Sequence, residues 1–131
     1  MSRSGRVEKI SQEFYNILDE SVKCFENQKK NCSFPPTEGL IRSGISRGYY
    51  SIFLLLRDYM NLTYLKSADV HKKIIDKLKE TYDRPDLADK IFRLREMRNR
   101  ADYDTDEKIT EWHLKEALSL VKRLSNEIKQ L

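Results

Sequence analysis

The sequence predicts an all-α fold, an antiparallel up-and-down bundle of four or five helices. Three observations carry that prediction. Apolar residues recur every three or four positions along most of the 131 residues, the period of helices with one buried face. No stretch shows the apolar–polar alternation of a half-buried strand. The composition, 35% charged and 39% apolar with only four Gly and three Pro, is that of a helical, water-soluble chain. The length fits one domain over residues 1–131, with a core that needs neither disulfide nor metal to hold it.

Met1–Gly5 is expected as a disordered polar tail. From about Arg6 to Lys30, Val7, Ile10, Phe14, Ile17, Leu18, Ser21 and Phe25 keep the 3–4 spacing of a long amphipathic helix. Pro35-Pro36 breaks it within Asn31–Thr37, the longest connection and the expected mobile loop. A second helix runs from about Thr37, its expected N-cap, to Asn61. After Tyr49 its apolar residues cover most of the circumference, which makes it the central helix. Gly44, Gly48 and Ser51 form a small-residue stripe; two helical glycines one turn apart point to close approach of another backbone. Leu62–Ser67 leads to a third helix, about Ala68–Tyr82, with Val70, Ile74, Ile75 and Leu78 on its buried side. Arg84-Pro85 precedes a fourth, Asp86 to about Tyr103, and a polar turn over Asp104–Ile109 precedes Thr110, N-cap of the last. Leu114, Ala117, Leu118, Val121, Leu124, Ile128 and Leu131 make its seam.

No apolar run approaches the roughly 20 residues that span a bilayer, and the polar N-terminus lacks a signal-peptide core. The expectation is a cytoplasmic protein with no membrane association. Cys24 and Cys32 match no zinc spacing and lie far from His71 and His113, so neither a metal nor another cofactor is expected. The net charge of +4, from 25 basic and 21 acidic residues, permits nucleic-acid binding without demanding it. Arg93, Arg95, Arg98 and Arg100 cluster on the fourth helix after Lys72, Lys73, Lys77 and Lys79 on the third, and Asp102, Asp104, Asp106 and Glu107 border them with negative charge.

Arg98 is the anomaly. It falls on the stripe of Leu87, Ile91, Leu94 and Ala101, where a helix carries Leu or Ile, and an arginine is almost never buried unpaired. One reading pairs it with Asp102, one turn on, as a structural clamp; the other has it line a cleft and wait for an anion. Tyr49 and Tyr50 point to different faces, so one belongs to the core and the other can bond Arg98 or Asp102 through its hydroxyl. Arg47 is a second candidate anion contact, while Arg93 and Arg100 are expected in solvent. His71, in the first turn of the third helix, is expected on a solvated face, bonded to a neighbouring helix or catalytic, and His113, beside Trp112, is structural.

The runs S-R-G-Y-Y-S-I-F (Ser46–Phe53), D-V-H (Asp69–His71) and L-R-E-M-R-N-R-A-D-Y-D (Leu94–Asp104) together resemble the HEPN family (higher eukaryotes and prokaryotes nucleotide-binding). The order and spacing are those of its small stand-alone prokaryotic members, and the resemblance covers nearly the whole chain. It implies a HEPN-like bundle, usually a homodimer, with the fourth-helix motif near the dimer seam. Many members are metal-independent ribonucleases with the motif R-N-x-x-x-H. Arg98-Asn99 match its start, but the histidine position falls on Tyr103. Cleavage through a 2′-hydroxyl needs a group that exchanges a proton near neutral pH, and a phenol of reference pKa about 10 is a poor base.

The missing histidine therefore favours a binding module over an enzyme. Arg98, Asn99, Asp102 and Tyr103, with Arg47, Tyr49 and Tyr50, would form a polar seam for a nucleotide, RNA or a partner protein. By resemblance to two-gene toxin–antitoxin pairs, that partner is a minimal nucleotidyltransferase. The tyrosine such enzymes adenylylate falls on Thr105, so that modification does not carry over directly. The alternatives are a metal-independent ribonuclease toxin using Arg98, with Tyr103 or His71 for proton transfer, and a purely structural helical dimer.

Overall fold

The computed structural model describes residues 2–26 and 37–131. They form five helices, α1 (Ser2–Glu26), α2 (Glu38–Tyr59), α3 (Ser67–Glu80), α4 (Pro85–Tyr103) and α5 (Glu111–Ile128), and no strand. The expected break at Pro35-Pro36 and the expected mobile loop lie outside the described residues, as does Cys32. α1 starts at Ser2 rather than about Arg6, so residues 2–5, expected as tail, continue the helix. Propagation from an existing helix needs no further apolar contact, because each added residue gains a backbone bond without a new nucleus.

Each boundary has a local cause. Thr37 caps α2, its hydroxyl accepting from the Leu40 N–H at 3.3 Å, with Glu38 in the first turn facing the positive end of the helix dipole. Asn61 (φ 57°) and Asp83 (φ 54°) take left-handed conformations after α2 and α3, which Asn and Asp tolerate better than most residues. Pro85 opens α4, where a missing N–H does no harm. At α5 the Thr110 N–H donates to His113 Nδ1 at 3.0 Å, so His113 does the work of a capping-box Glu and is structural.

α2 touches all four other helices, as its all-round apolar pattern requires. Leu18, Ile45, Ile52, Leu56, Leu78, Leu94, Leu114 and Leu124 are the heart of the core, each at most 1% exposed. Gly44 and Gly48 are where α1 and α5 close on α2. A Cβ on Gly48 would lie 2.5 Å from Leu18 Cδ2, and one on Gly44 would lie 2.9 Å from Leu114 Cδ1. The close approach is thus by side chains of two helices, not by a backbone. On α4, Met97 is buried with Leu94 and Ala101, and Arg98 sits beside that stripe with its side chain 15% exposed. No helix among the described residues is long and apolar enough to cross a membrane.

Candidate functional site

Arg98 reaches from the edge of α4's buried stripe toward α2, into a nest of aromatic rings. Its guanidinium carbon lies 5.1 Å from the Tyr50 ring centroid, 5.4 Å from Tyr103 and 5.7 Å from Tyr49, within the range of cation–π attraction. Nη2 donates to the Tyr50 hydroxyl at 2.7 Å and the Tyr103 hydroxyl at 3.4 Å, and Nη1 to Asn99 Oδ1 at 2.9 Å. Nε lies 2.9 Å from Asp102 Oδ2, an ion pair whose N–H is not aligned for a hydrogen bond. Ser46 of α2 donates to the same carboxylate oxygen at 3.2 Å. Tyr49 and Tyr50 part as expected: Tyr49 is 4% exposed in the core and Tyr50 bonds Arg98.

Behind Arg98, the Tyr49 hydroxyl lies 3.3 Å from His71 Nδ1. Burial pushes the Tyr49 phenol up to about 12, against the opposing pull of the Arg95 and Arg98 charges. Burial, with the Arg95 charge, pushes His71 down to about 4. The imidazole is therefore neutral and inside the protein at neutral pH, bonded to a neighbouring helix, and not poised for solvent-linked proton exchange. One consequence is measurable. As pH falls from about 6.5, the unfolded chain takes up the proton first, so stability that is complete above that pH is lost down to about 4, by at most about 3 kcal/mol. Urea denaturation at pH 7 and pH 4.5 should show a shallower loss for His71→Phe than for the wild type.

Arg47 does not join the seam. It is exposed, with its guanidinium over the Phe14 ring of α1 at 5.2 Å. α2 carries residues 46, 49 and 50 toward α4, and Arg47 leaves it on the side facing α1, because a 100° step per residue separates neighbours. Arg93 and Arg100 are largely in solvent and paired with Glu116 and Glu107.

The sequence reading missed Arg42. Its Nη1 donates to the carbonyls of Arg100, Ala101 and Asp104 at 3.0, 3.1 and 2.9 Å, and its Nη2 to Glu107 O at 2.5 Å. Glu38 Oε2 holds the guanidinium from behind, at 2.9 Å from Nε and 2.7 Å from Nη2. Those bonds from Arg42, with one from the Ile109 N–H, keep the Glu38 carboxyl below the usual carboxylate range. Arg42 thus caps the C-terminus of α4 and cancels the negative end of its dipole beside Tyr103. The only sequence signal was the Glu38/Arg42 spacing of four, which many solvated helix faces share.

The result is a rigid cation matched by a carboxylate and wrapped in phenol rings. Tyr103 is 71% exposed at its rim. Among the described residues, no group of three or more His, Cys, Asp or Glu could hold a metal ion. Comparison with family models, with curated proteins and with solved structures finds no match to this chain.

Proposed function

We propose that this protein is a non-catalytic HEPN-like module that binds RNA or a nucleotide at the Arg98–Tyr103 seam. The observation that carries the reading is the exposed Tyr103 ring, 71% accessible, at the end of α4 with one face toward the half-buried Arg98 guanidinium. An aromatic ring held at the surface is a stacking platform for an unpaired base. Arg98 and Asp102 serve to hold that platform, since the guanidinium's bonds go to acceptors of the chain itself. His71, the candidate for proton transfer, lies on the far side of Tyr49 with its ring inside the protein, which weighs against the ribonuclease alternative.

The reading includes the antiparallel order of the bundle, supported by the Arg84–Glu127 and Arg93–Glu116 pairs, whose partners run in opposite directions along α4 and α5. It includes also a cytoplasmic homodimer working with a nucleotidyltransferase-type partner, for which the exposed Phe92 and Trp112, 52% and 65% accessible, offer apolar surface.

Fluorescence anisotropy with a labelled single-stranded RNA 10-mer tests it. Tyr103→Ala should weaken binding roughly 5- to 100-fold, the worth of one stacked base, while Tyr103→Phe, which keeps the ring, binds nearly as wild type. RNA incubated with metal-free protein should stay intact. Equal binding by Tyr103→Ala, or cleavage abolished by Arg98→Ala, would overturn the proposal.

A further inference from the structure

A groove of about 940 Å³ lies at the opposite end of the bundle from Tyr103. It is lined by α1 from Gly5 to Tyr15, by α2 from Leu55 to Tyr59 and by α5 from Lys122 to Lys129. Arg42, which holds the Tyr103 end of α4, is separated from Leu55 by about 20 Å of α2.

The base of the groove is apolar and held in place. Tyr15 packs against the core, and Ile128 is 7% exposed. Ser11, 4% exposed, ties α1 to α2 there by donating to the Ser51 carbonyl at 2.6 Å. Tyr59 leaves 45% of its surface accessible, yet its hydroxyl donates to Leu131 O at 2.9 Å and its ring lies 6.1 Å from that of Tyr82. An exposed aromatic ring already restrained in this way loses little freedom when a partner covers it.

The rim is cationic on two sides. Lys9 of α1 and Lys122 and Lys129 of α5 are exposed along it. Among the described residues the lysines in ion pairs are Lys23 and Lys115, not these three. Against them the lining offers the exposed Glu8 and the buried Asp58, and Asp58 is already engaged within the chain. Lys129 is the C-cap of α5, where the negative end of the dipole answers part of its charge. Lys9 and Lys122 therefore carry most of the field.

The stretch of α1 from Gly5 to Tyr15 gives the groove a length of about 15 Å, the rise of a helix of three turns. An apolar base between charged flanks is the pattern that receives an amphipathic helix. A hydrocarbon chain fits less well, because it would lie against the Asp58 carboxylate. We propose that this groove docks an amphipathic helix of a partner protein, apolar on the face toward Tyr59 and Ile128 and acidic on its flanks. The partner's carboxylates meet Lys9 on one side and Lys122 on the other. None of these residues belongs to the Arg98–Tyr103 seam, so the inference stands apart from the RNA reading.

The probe is a fluorescein-labelled, helix-forming peptide of about 14 residues, with leucines at i, i+3, i+4 and i+7 and glutamates flanking them. Anisotropy with the full chain should show saturable binding at about 10–300 μM, the modest affinity of a helix without an evolved fit. The same peptide with lysines for glutamates should bind at least about tenfold more weakly. Ser125→Trp, which fills the groove from a half-buried position on α5, should abolish binding, and Tyr59→Ala should weaken it about tenfold or more. Lys9→Glu combined with Lys122→Glu changes exposed side chains alone and should reverse the preference between the two peptides. Tyr103→Ala should leave peptide binding unchanged, and Ser125→Trp should leave RNA binding unchanged, so either reading can fall alone. No saturable binding up to about 1 mM, equal binding of the lysine peptide, or indifference to Ser125→Trp overturns the proposal. A dimer in light scattering that dissociates in Ser125→Trp assigns the groove to a second copy of the chain, and saturable oleate binding without peptide binding assigns it to a lipid chain; both also overturn it.

Discussion

Replacing Arg42 by methionine is expected to lower the unfolding free energy by about 2 kcal/mol and to loosen the last turn of α4. The guanidinium serves carbonyls of residues 100, 101, 104 and 107, which no other side chain of the described structure serves. Those of residues 100 and 104 lie at the surface, where water can replace the lost donor. Those of Ala101 and Glu107 are part-buried, and leaving such groups without a donor costs roughly 1–3 kcal/mol. The partial replacement by water is why the expected total stays near the middle of that range. Glu38 would lose its counterion as well, keeping only the Ile109 N–H. Arg42→Lys should recover little, because one ammonium cannot present the planar fork that reaches several carbonyls at once. Urea denaturation measures the loss. RNA anisotropy on the folded fraction measures its consequence, since Tyr103 ends the turn that Arg42 ties down; stability and binding unchanged in Arg42→Met would remove the capping role.

Gly48→Val is expected to cost about 2–3 kcal/mol through overpacking. The new Cβ alone would sit 2.5 Å from Leu18 Cδ2 and 3.3 Å from Val121 Cγ2, and Leu18 and Val121 are fully buried, so neither can swing into solvent. The better helix propensity of valine over glycine, a few tenths of a kcal/mol, offsets only a small part of this. Combining the change with Leu18→Ala, which removes the clashing methyls, should lose less than the sum of the two single changes. Strict additivity in denaturant melts would show that the contact between α1 and α2 is not limiting at Gly48. The same position bears on the site, because the approach of α1 and α5 at Gly44 and Gly48 sets where α2 places Ser46, Tyr49 and Tyr50.

The helices were legible because their signals are local. The 3–4 spacing, Thr37 and Thr110 as N-caps and Pro85 at a helix start each depend on a few neighbouring residues. α2 was legible as the central helix because a side chain set that is apolar nearly all round has to find neighbours on every side. The Arg98–Asp102 pair was readable from its spacing of four, and the parting of Tyr49 from Tyr50 from their adjacency. Arg47 was misplaced among the site residues because its helical face had to be judged against neighbours not yet located. Arg42 was missed because its acceptors lie 58 to 65 residues away.

Sequence alone thus determined that the chain is helical, where most of its helices begin and end, and that an arginine sits out of place on the fourth. Periodicity and capping act over one or two turns, so they are written in consecutive residues. Which charge is cancelled and which is spare was decided only when α4 met α2, α3 and α5. Asp102 then matched Arg98 and Glu116 matched Arg93, while Arg95 pairs with no carboxylate among the described residues. Electrostatic pairing falls off over a few ångströms of space and is indifferent to distance along the chain, so only the folded arrangement could assign it.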